Sequence, residues 1–352
     1  MRKYSKVFKI VLIIIALLLV GGWWFINRLK PQYEGRITLD GIENPTEVYF
    51  DDFGVPHIYG STMADAMIAL GYVHAQDRLW QMELVRRIAP GRLSEIFGAD
   101  MIEADRFYKS IGIVDASKAS VALLKEDSDV FTIANAYLSG VNQFMDTGPT
   151  PVEFLLLGIE KEHFVLEDIY NILGYMSFSF AMAHKTDPLL SVLQEKLDTT
   201  YLKDLHVDVD PKTTLISNFK GQEKELTNLV TQVNNIMNTS PIPPFIGSNS
   251  WVVGPEKTES GKVLFANDPH IVYGQPATWY EAHVVKPDYE MYGYHLAGVP
   301  LPLLGHNREI AYGLTMFEND DIDFYAEELE KCNDVDNLTV NTNLLAGADA
   351  QE

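Results

Sequence analysis

The sequence predicts an α+β fold, and three observations predict it. Helical periodicity fills much of the chain before residue 204, one short strand pattern follows another after Ser248, and Gly, Pro, Asn and Asp separate those strands. In such an arrangement helices must cover the sheet. The 352 residues are enough for two or three domain-sized units and a substantial core.

The N-terminal element comes first. Residues 1–30 begin with Arg2, Lys3, Lys6 and Lys9, continue through the uncharged run IVLIIIALLLVGGWWFI (Ile10 to Ile26), and close with Arg28 and Lys30. At about 1.5 Å per residue the run approaches the thickness of a bilayer's hydrocarbon core, and the heavier positive charge before it keeps the N-terminus cytoplasmic and exports the rest. No small-x-small cleavage site is evident and Trp23 and Trp24 suit an interfacial belt, so an uncleaved anchor is favoured over a removed signal peptide. The expected location is the periplasmic or extracellular face of the cytoplasmic membrane.

Residues 31–219 form the next region. GRITLDGIENPTEVYFDDFGVPHIYGST alternates polar and apolar residues as short strands and turns do. From Met63 to Arg87 the period becomes helical without a proline, which predicts one long amphipathic helix capped by Ser61 or Thr62. Helical patterns recur over about 118–146 and about 167–204, the second broken near Pro188. Residues 220–247 are polar and then proline-broken, and read as a linker or spacer. From 248 to 352 the strand patterns are SNSWVVG, KVLFAND, TWYEAHVV, EMYGYHLAG, EIAYGLT and DIDFYAEEL, with a further pattern beginning near Leu338.

Composition narrows the function. The formal charge is −22, from 49 acidic and 27 basic residues, which argues against nucleic acid or anionic membrane as the main partner and favours divalent cations as guests. A single cysteine, Cys332, rules out an internal disulfide and thiolate metal clusters. The sequence holds no G-x-S-x-G, H-E-x-x-H, Walker A or G-x-G-x-x-G pattern, so the common serine hydrolase, zinc peptidase and nucleotide readings lack support.

Three long segments carry a likeness to a known family. GYVHAQDRLWQMELVRRIAPGRLSEIFG (Gly71 to Gly98), GSNSWVVGPEKTESGKVLFANDPH (Gly247 to His270) and LLGHNREIAYGLTMFENDDIDFYAEEL (Leu303 to Leu329), in this order, resemble the penicillin acylase (penicillin amidase) family of N-terminal nucleophile amidohydrolases, to which acyl-homoserine-lactone and cephalosporin acylases are related. The likeness runs from about residue 35 to about 330. It implies a four-layer αββα sandwich, and a precursor that cuts itself around a spacer into an α/β heterodimer whose new N-terminal serine is the nucleophile.

Carried onto this chain, the cut falls between Gly247 and Ser248. Gly247 lacks a Cβ, so its peptide bond can be strained and closely approached by the Ser248 hydroxyl, and an N-to-O acyl shift followed by ester hydrolysis frees an α-amine. That amine titrates near about 7.7–8.0 when unperturbed, so it can serve as base for its own Oγ at physiological pH. The resemblance makes the Met316 backbone N–H one oxyanion donor. The other is an asparagine deep in the second chain, expected with its partner arginine beyond residue 352, so the sequence is expected to be C-terminally truncated.

Other site residues are also implied by position. His270 is either a hydrogen-bonded structural residue or a group beside Ser248 that contacts the scissile amide, and the histidine leans toward the lactone or cephalosporin acylase branch. Asp320, the Ile322 carbonyl and Asp323, with Asp187 from the first chain, match a structural Ca²⁺ site, although an acidic cluster can equally be a solvated turn. Ser177, Phe178, Ala181, Ile271, Leu303 and Leu304 match positions of the acyl pocket, and apolar residues at these spacings can also be plain core. Small Ser177 and Ala181 predict room for aliphatic acyl chains. His74, Gln76, Asp77 and Arg78 read as a polar network locking the long helix to the sheet.

The expected activity is hydrolysis of a small N-acyl amide of β-lactam or acyl-homoserine-lactone type, with Ca²⁺ and no organic cofactor. The alternative is a membrane-tethered, catalytically incomplete remnant of the same fold. The 352 residues alone are expected to be inactive and unstable, because missing strands would expose apolar edges.

Overall fold

The computed structural model describes residues 2–181, 188–190, 192–193, 196–197, 201, 204, 223–241, 245–271 and 273–316. The chain divides into two compact units. One comprises Met1–Phe180 and Val233–Phe317 and carries the site developed below; the other comprises Ala181–Gln232 and Glu318–Glu352.

Helix α1 (Arg2–Leu29) contains a span, Phe8–Leu29, with a mean hydropathy of 2.5, long and apolar enough by length and composition to cross a membrane. Its side chains, Leu17, Leu18, Leu19 and Trp23 among them, are exposed. Strands β1 (Glu47–Phe50) and β2 (Pro56–Tyr59) form an antiparallel hairpin, and α2 (Met63–Ile88) comes next. Thr62 caps α2, its Oγ1 accepting from the Asp65 N–H at 3.0 Å, while the Asp65 carboxylate accepts from the Glu43 N–H at 2.8 Å. The first turn is thereby closed and the preceding loop tied down to it.

Shorter helices α3 (Ser94–Phe97), α4 (Ile102–Ser110) and α5 (Ile113–Leu123) lead to α6 (Asp129–Thr147), α7 (Val152–Leu157) and α8 (Leu166–Phe180). After α9 (Glu223–Thr239) come β3 (Phe245–Val253), β4 (Leu264–Ile271), β5 (Trp279–Lys286), β6 (Tyr289–Leu296), β7 (Leu304–His306) and β8 (Ala311–Tyr312). Strands β3 and β4 make a two-stranded ribbon; the others form one sheet in the order β1-β2-β5-β6-β7-β8. The β2–β5 pair is parallel, with His57 opposite His283, and joins the early hairpin to the strands of the second half. The α+β expectation holds.

Helix α2 covers one face of this sheet, and α6 packs against α2. Ile58, Ala282 and Val284 meet Ala66, Leu70, Val73, Tyr137 and Val141 in the main core. The two helices cross closely because Gly71 and Gly140 sit at the contact: an added Cβ would lie 2.0 Å from the Tyr137 carbonyl oxygen in one case and 2.0 Å from that of Ile68 in the other.

Four expectations need correction. Helix α2 is not amphipathic, since residues 65–76 are buried without interruption between the sheet and α6. The helix expected over 118–146 is two, parted at residues 124–128, where the Ser128 Oγ accepts from the Phe131 N–H and starts α6. The pattern expected over 167–204 is helical to Phe180 and helical again at 188–190, 192–193, 196–197, 201 and 204, but its first break comes at Ala181, ahead of Pro188. The segment read as a polar spacer contains α9, whose Val233, Ile236 and Met237 are buried at helical spacing, Ile236 beside Ile88, Tyr108 and Tyr175. Strand β7 and helices α3, α4 and α7 were not anticipated, and Cys332 and the DIDFYAEEL pattern lie outside the described residues.

Candidate active site

The site is built on the β3–β4 ribbon. Gly247 stands opposite His270, Ser248 opposite Pro269, Asn249 opposite Asp268 and Ser250 opposite Asn267. Between Phe245 and Gly247 two residues of β3 step past one of β4, a bulge just before the Gly247–Ser248 bond. Such an irregularity re-aims the side chains that come after it. The Ser248 side chain meets a loop from the far end of the second half: the Met316 backbone N–H donates to Ser248 Oγ at 2.9 Å.

Met316 lies in the stretch after β8, and Asn267 braces that stretch. Its Nδ2 donates to the Leu314 carbonyl at 3.0 Å and to the Asn249 carbonyl at 3.3 Å. His270 Nε2 lies 3.2 Å from Asp268 Oδ2 and 3.3 Å from Asn249 Nδ2, and its Nδ1 is 3.9 Å from where a Cβ on Gly247 would stand. The structure therefore brings Gly247, Ser248, His270 and Met316 together. Asn249, Asp268 and Asn267 were passed over in the sequence, although all three sit within the GSNSWVVG…NDPH segment. Their roles are hydrogen bonds across the ribbon, along β4 and to the loop after β8, which only the three-dimensional arrangement reveals.

Gly247 has no positive φ, and a Cβ there would meet nothing closer than His270 Nδ1 at 3.9 Å, so neither a left-handed backbone nor crowding calls for glycine at this position. The bulge, and not glycine's freedom, distinguishes this position.

The pocket residues fall into separate environments. Ile271 and Leu303 pack against the cluster of Val85, Ile172, Leu296 and Val299, which Met176 and Phe180 of α8 also join. Phe178 packs instead with Phe107 and Tyr108, at ring centroid distances of 5.6 and 6.3 Å. Leu304 is buried within β7, Ala181 is buried, and Ser177 is exposed with its Oγ donating to the Leu173 carbonyl. Asp187, Asp320, Ile322 and Asp323 lie outside the described residues; among the described ones, no group of three His, Cys, Asp or Glu side chains is placed to hold a metal. A cavity of about 140 Å³ under residues 32–50 and against Ala69, Tyr72, Val73 and Gln76 shares no residue with the Ser248 cluster.

Three of the four polar residues expected to lock α2 to the sheet do so, while the buried Nε2 of the fourth, Gln76, has no hydrogen-bond partner among the described residues. The His74 ring stacks on Tyr280 at 4.2 Å, and its Nδ1 hydrogen-bonds with the Tyr137 hydroxyl at 2.9 Å. Asp77 accepts from the hydroxyls of Tyr280 and Tyr33, at 2.9 and 2.7 Å, and burial pushes its carboxyl above the usual range. Arg78 donates to the Ala277 carbonyl just before β5. These groups touch none of the residues around Ser248 and act as structure.

An α+β chain with a serine on a bulged ribbon, faced by a remote backbone N–H, fits the family model described as Penicillin amidase, which matches residues 45–347. The chain belongs to that family. Among its relatives, penicillin acylase 2 proenzyme of Pseudomonas sp. (strain SE83) is 32% identical over 314 residues, covering 85% of this chain and 39% of the relative. Acyl-homoserine lactone acylase QuiP of Pseudomonas aeruginosa is 28% identical over 311 residues (86% and 36%), and penicillin G acylase of Escherichia coli 26% over 364 (87% and 42%). The chain thus spans about two fifths of the length of these curated relatives. A solved structure, a thermostable penicillin G acylase from Alcaligenes faecalis, overlaps 48% of this chain and 95% of that one at 20% identity, with a TM-score of 0.38, a likeness too slight to support inference about the fold.

Proposed function

We propose that Ser248 is the nucleophile of an acyl-amide hydrolase and becomes N-terminal when the chain is cut between Gly247 and Ser248. The observation that carries this reading is the Met316 N–H aimed at Ser248 Oγ from 2.9 Å. A backbone N–H beside the attacking oxygen lies next to where the oxyanion of an acyl-transfer intermediate forms, and such a site needs a donor in place there. Family membership supports the reaction class, and the names of the relatives indicate penicillins and acyl-homoserine lactones as the substrates to try first.

In the proposed reaction the free α-amine of Ser248 takes the proton of its own Oγ, and the oxygen attacks the acyl carbonyl. The Met316 N–H donates to the oxyanion, joined by a second donor expected outside these residues. The amine of the substrate leaves with the proton returned by the α-amine, and water releases the acyl group from Ser248. His270, fixed near Asp268 and Asn249 and directly across from Gly247, is positioned to contact the scissile amide.

The proposal extends to a four-layer αββα architecture, an α/β heterodimer after the cut, an export-competent membrane anchor in α1, and a structural Ca²⁺ held by Asp187, Asp320, Asp323 and the Ile322 carbonyl. Carboxylate and carbonyl oxygens suit a hard cation, and metal analysis of the dialysed protein should return calcium at one per chain. Activity is tested by assaying the natural gene product and its Ser248→Ala variant on penicillin G, aliphatic acyl-homoserine lactones and chromogenic acyl amides. The expected outcome is turnover that prefers aliphatic acyl chains and disappears in the variant. Turnover by Ser248→Ala would defeat the mechanism, and a clear phenylacetyl preference would defeat the acyl-chain assignment.

A further inference from the structure

Apart from the Ser248 hydroxyl itself, Asn267 makes the one side-chain bridge among the described residues between the strand that bears the serine and the loop that bears its backbone donor. Its Nδ2 carries two protons, and both have acceptors: the Asn249 carbonyl, one residue after Ser248, and the Leu314 carbonyl, two residues before Met316. Gly313 completes the contact from the other side. A Cβ there would stand 2.5 to 2.8 Å from the Asn267 side chain, so the loop can lie directly on the amide only because that residue is glycine. Strand β8 ends at Tyr312, so sheet pairing does not reach Leu314 or Met316. Among the described residues, Leu314–Met316 is joined to the ribbon through Asn267 and through Ser248 itself.

We propose that Asn267 is a positioning residue that holds the Met316 N–H at its distance from Ser248 by clamping the Leu314 carbonyl to β3. The inference rests on the reading of Ser248 as nucleophile. An oxyanion donor works only when it is in place before charge develops, and a displacement on the order of 1 Å can cost about 100-fold in rate. The side chain requirement is narrow. Leucine fills nearly the same volume with no donor, and an aspartate would set a charge against two carbonyl oxygens.

The test compares the processed natural gene product with Asn267→Leu, Asn267→Asp and Gly313→Ala, the last displacing the amide by intruding a Cβ. Pre-steady-state bursts on a chromogenic acyl ester count working sites, and steady-state rates on the matching amide give kcat per site and KM. The clamp predicts per-site kcat lowered roughly 10- to 100-fold in all three, with KM changed by less than about threefold. A purely structural role would lower the burst amplitude and the melting temperature and leave per-site kcat at the wild-type value, and that result would overturn the proposal. If the Asn267 variants fail to fold, Gly313→Ala decides by the same criterion. Wild-type activity in Ser248→Ala overturns both the nucleophile and the clamp, whereas an inactive Ser248→Ala with unchanged kcat in the Asn267 variants overturns the clamp alone.

Discussion

At the scale of single residues, position in a ribbon decides what the sequence leaves open. Ser248 and Met316 are 68 residues apart and meet at 2.9 Å, a contact that no local pattern encodes. Gly247 shows the opposite case, where a local rule misleads. Glycine before a serine reads as a strained hinge, yet here it lies in an extended strand with room for a methyl group. We therefore expect Gly247→Ala to leave the fold intact and to slow the cut at Ser248 by less than about tenfold, the added Cβ making only ordinary contact with His270. Electrophoresis of the variant through a time course checks this, and a chain that stays uncut would return glycine's freedom to the mechanism. The family likeness made Ser248, His270 and Met316 legible in advance. Asn267 was not, because its significance lies in two carbonyls, one on β3 and one in the loop after β8.

At the scale of elements, the long central helix was legible and its surroundings were not. Uninterrupted helical periodicity places α2 within a residue of its observed end, but a helix packed on two sides loses its polar face, and one-sided amphipathicity was the wrong model. The break between α5 and α6 was visible only as a cap, Ser128, inside an otherwise helical run. Helix α9 escaped notice because its buried Val233, Ile236 and Met237 are outweighed by polar neighbours. The Gly71–Gly140 crossing yields a prediction at this scale. Gly71→Ala places a methyl group 2.0 Å from the Tyr137 carbonyl oxygen, the helices must separate, and stability should fall by about 1–3 kcal/mol. Urea unfolding of the variant measures it, and a midpoint equal to wild type would show that the crossing is looser than described.

At the scale of the whole molecule, fold class was legible from the order of helix and strand patterns, whereas the joining of β2 to β5 across 226 residues was not. Two buried histidines give this fold a pH dependence. Burial holds His295 down at about 4, against which carbonyls of Val299 and Pro300 pull only partly, and burial also holds His74 well below its ordinary value, helped by His295 and Arg78. The unfolded chain takes up these protons near pH 6.5 and the folded chain refuses them, so stability is full above about pH 6.5 and falls as pH drops toward 4. For His295 the loss is on the order of 3 kcal/mol. Unfolding midpoints between pH 7 and 4.5 should decline, with a smaller decline in His295→Asn; equal slopes in the two proteins would remove His295 from the explanation.

The central claim is that the bond before Ser248 is broken to make Ser248 an N-terminal nucleophile. Intact-mass spectrometry of the purified natural gene product, beside its Ser248→Ala variant, tests it most directly. The account predicts one fragment beginning at Ser248 in the wild type and an uncut chain in the variant. A wild-type chain that remains whole, or a variant cut between residues 247 and 248, would contradict it.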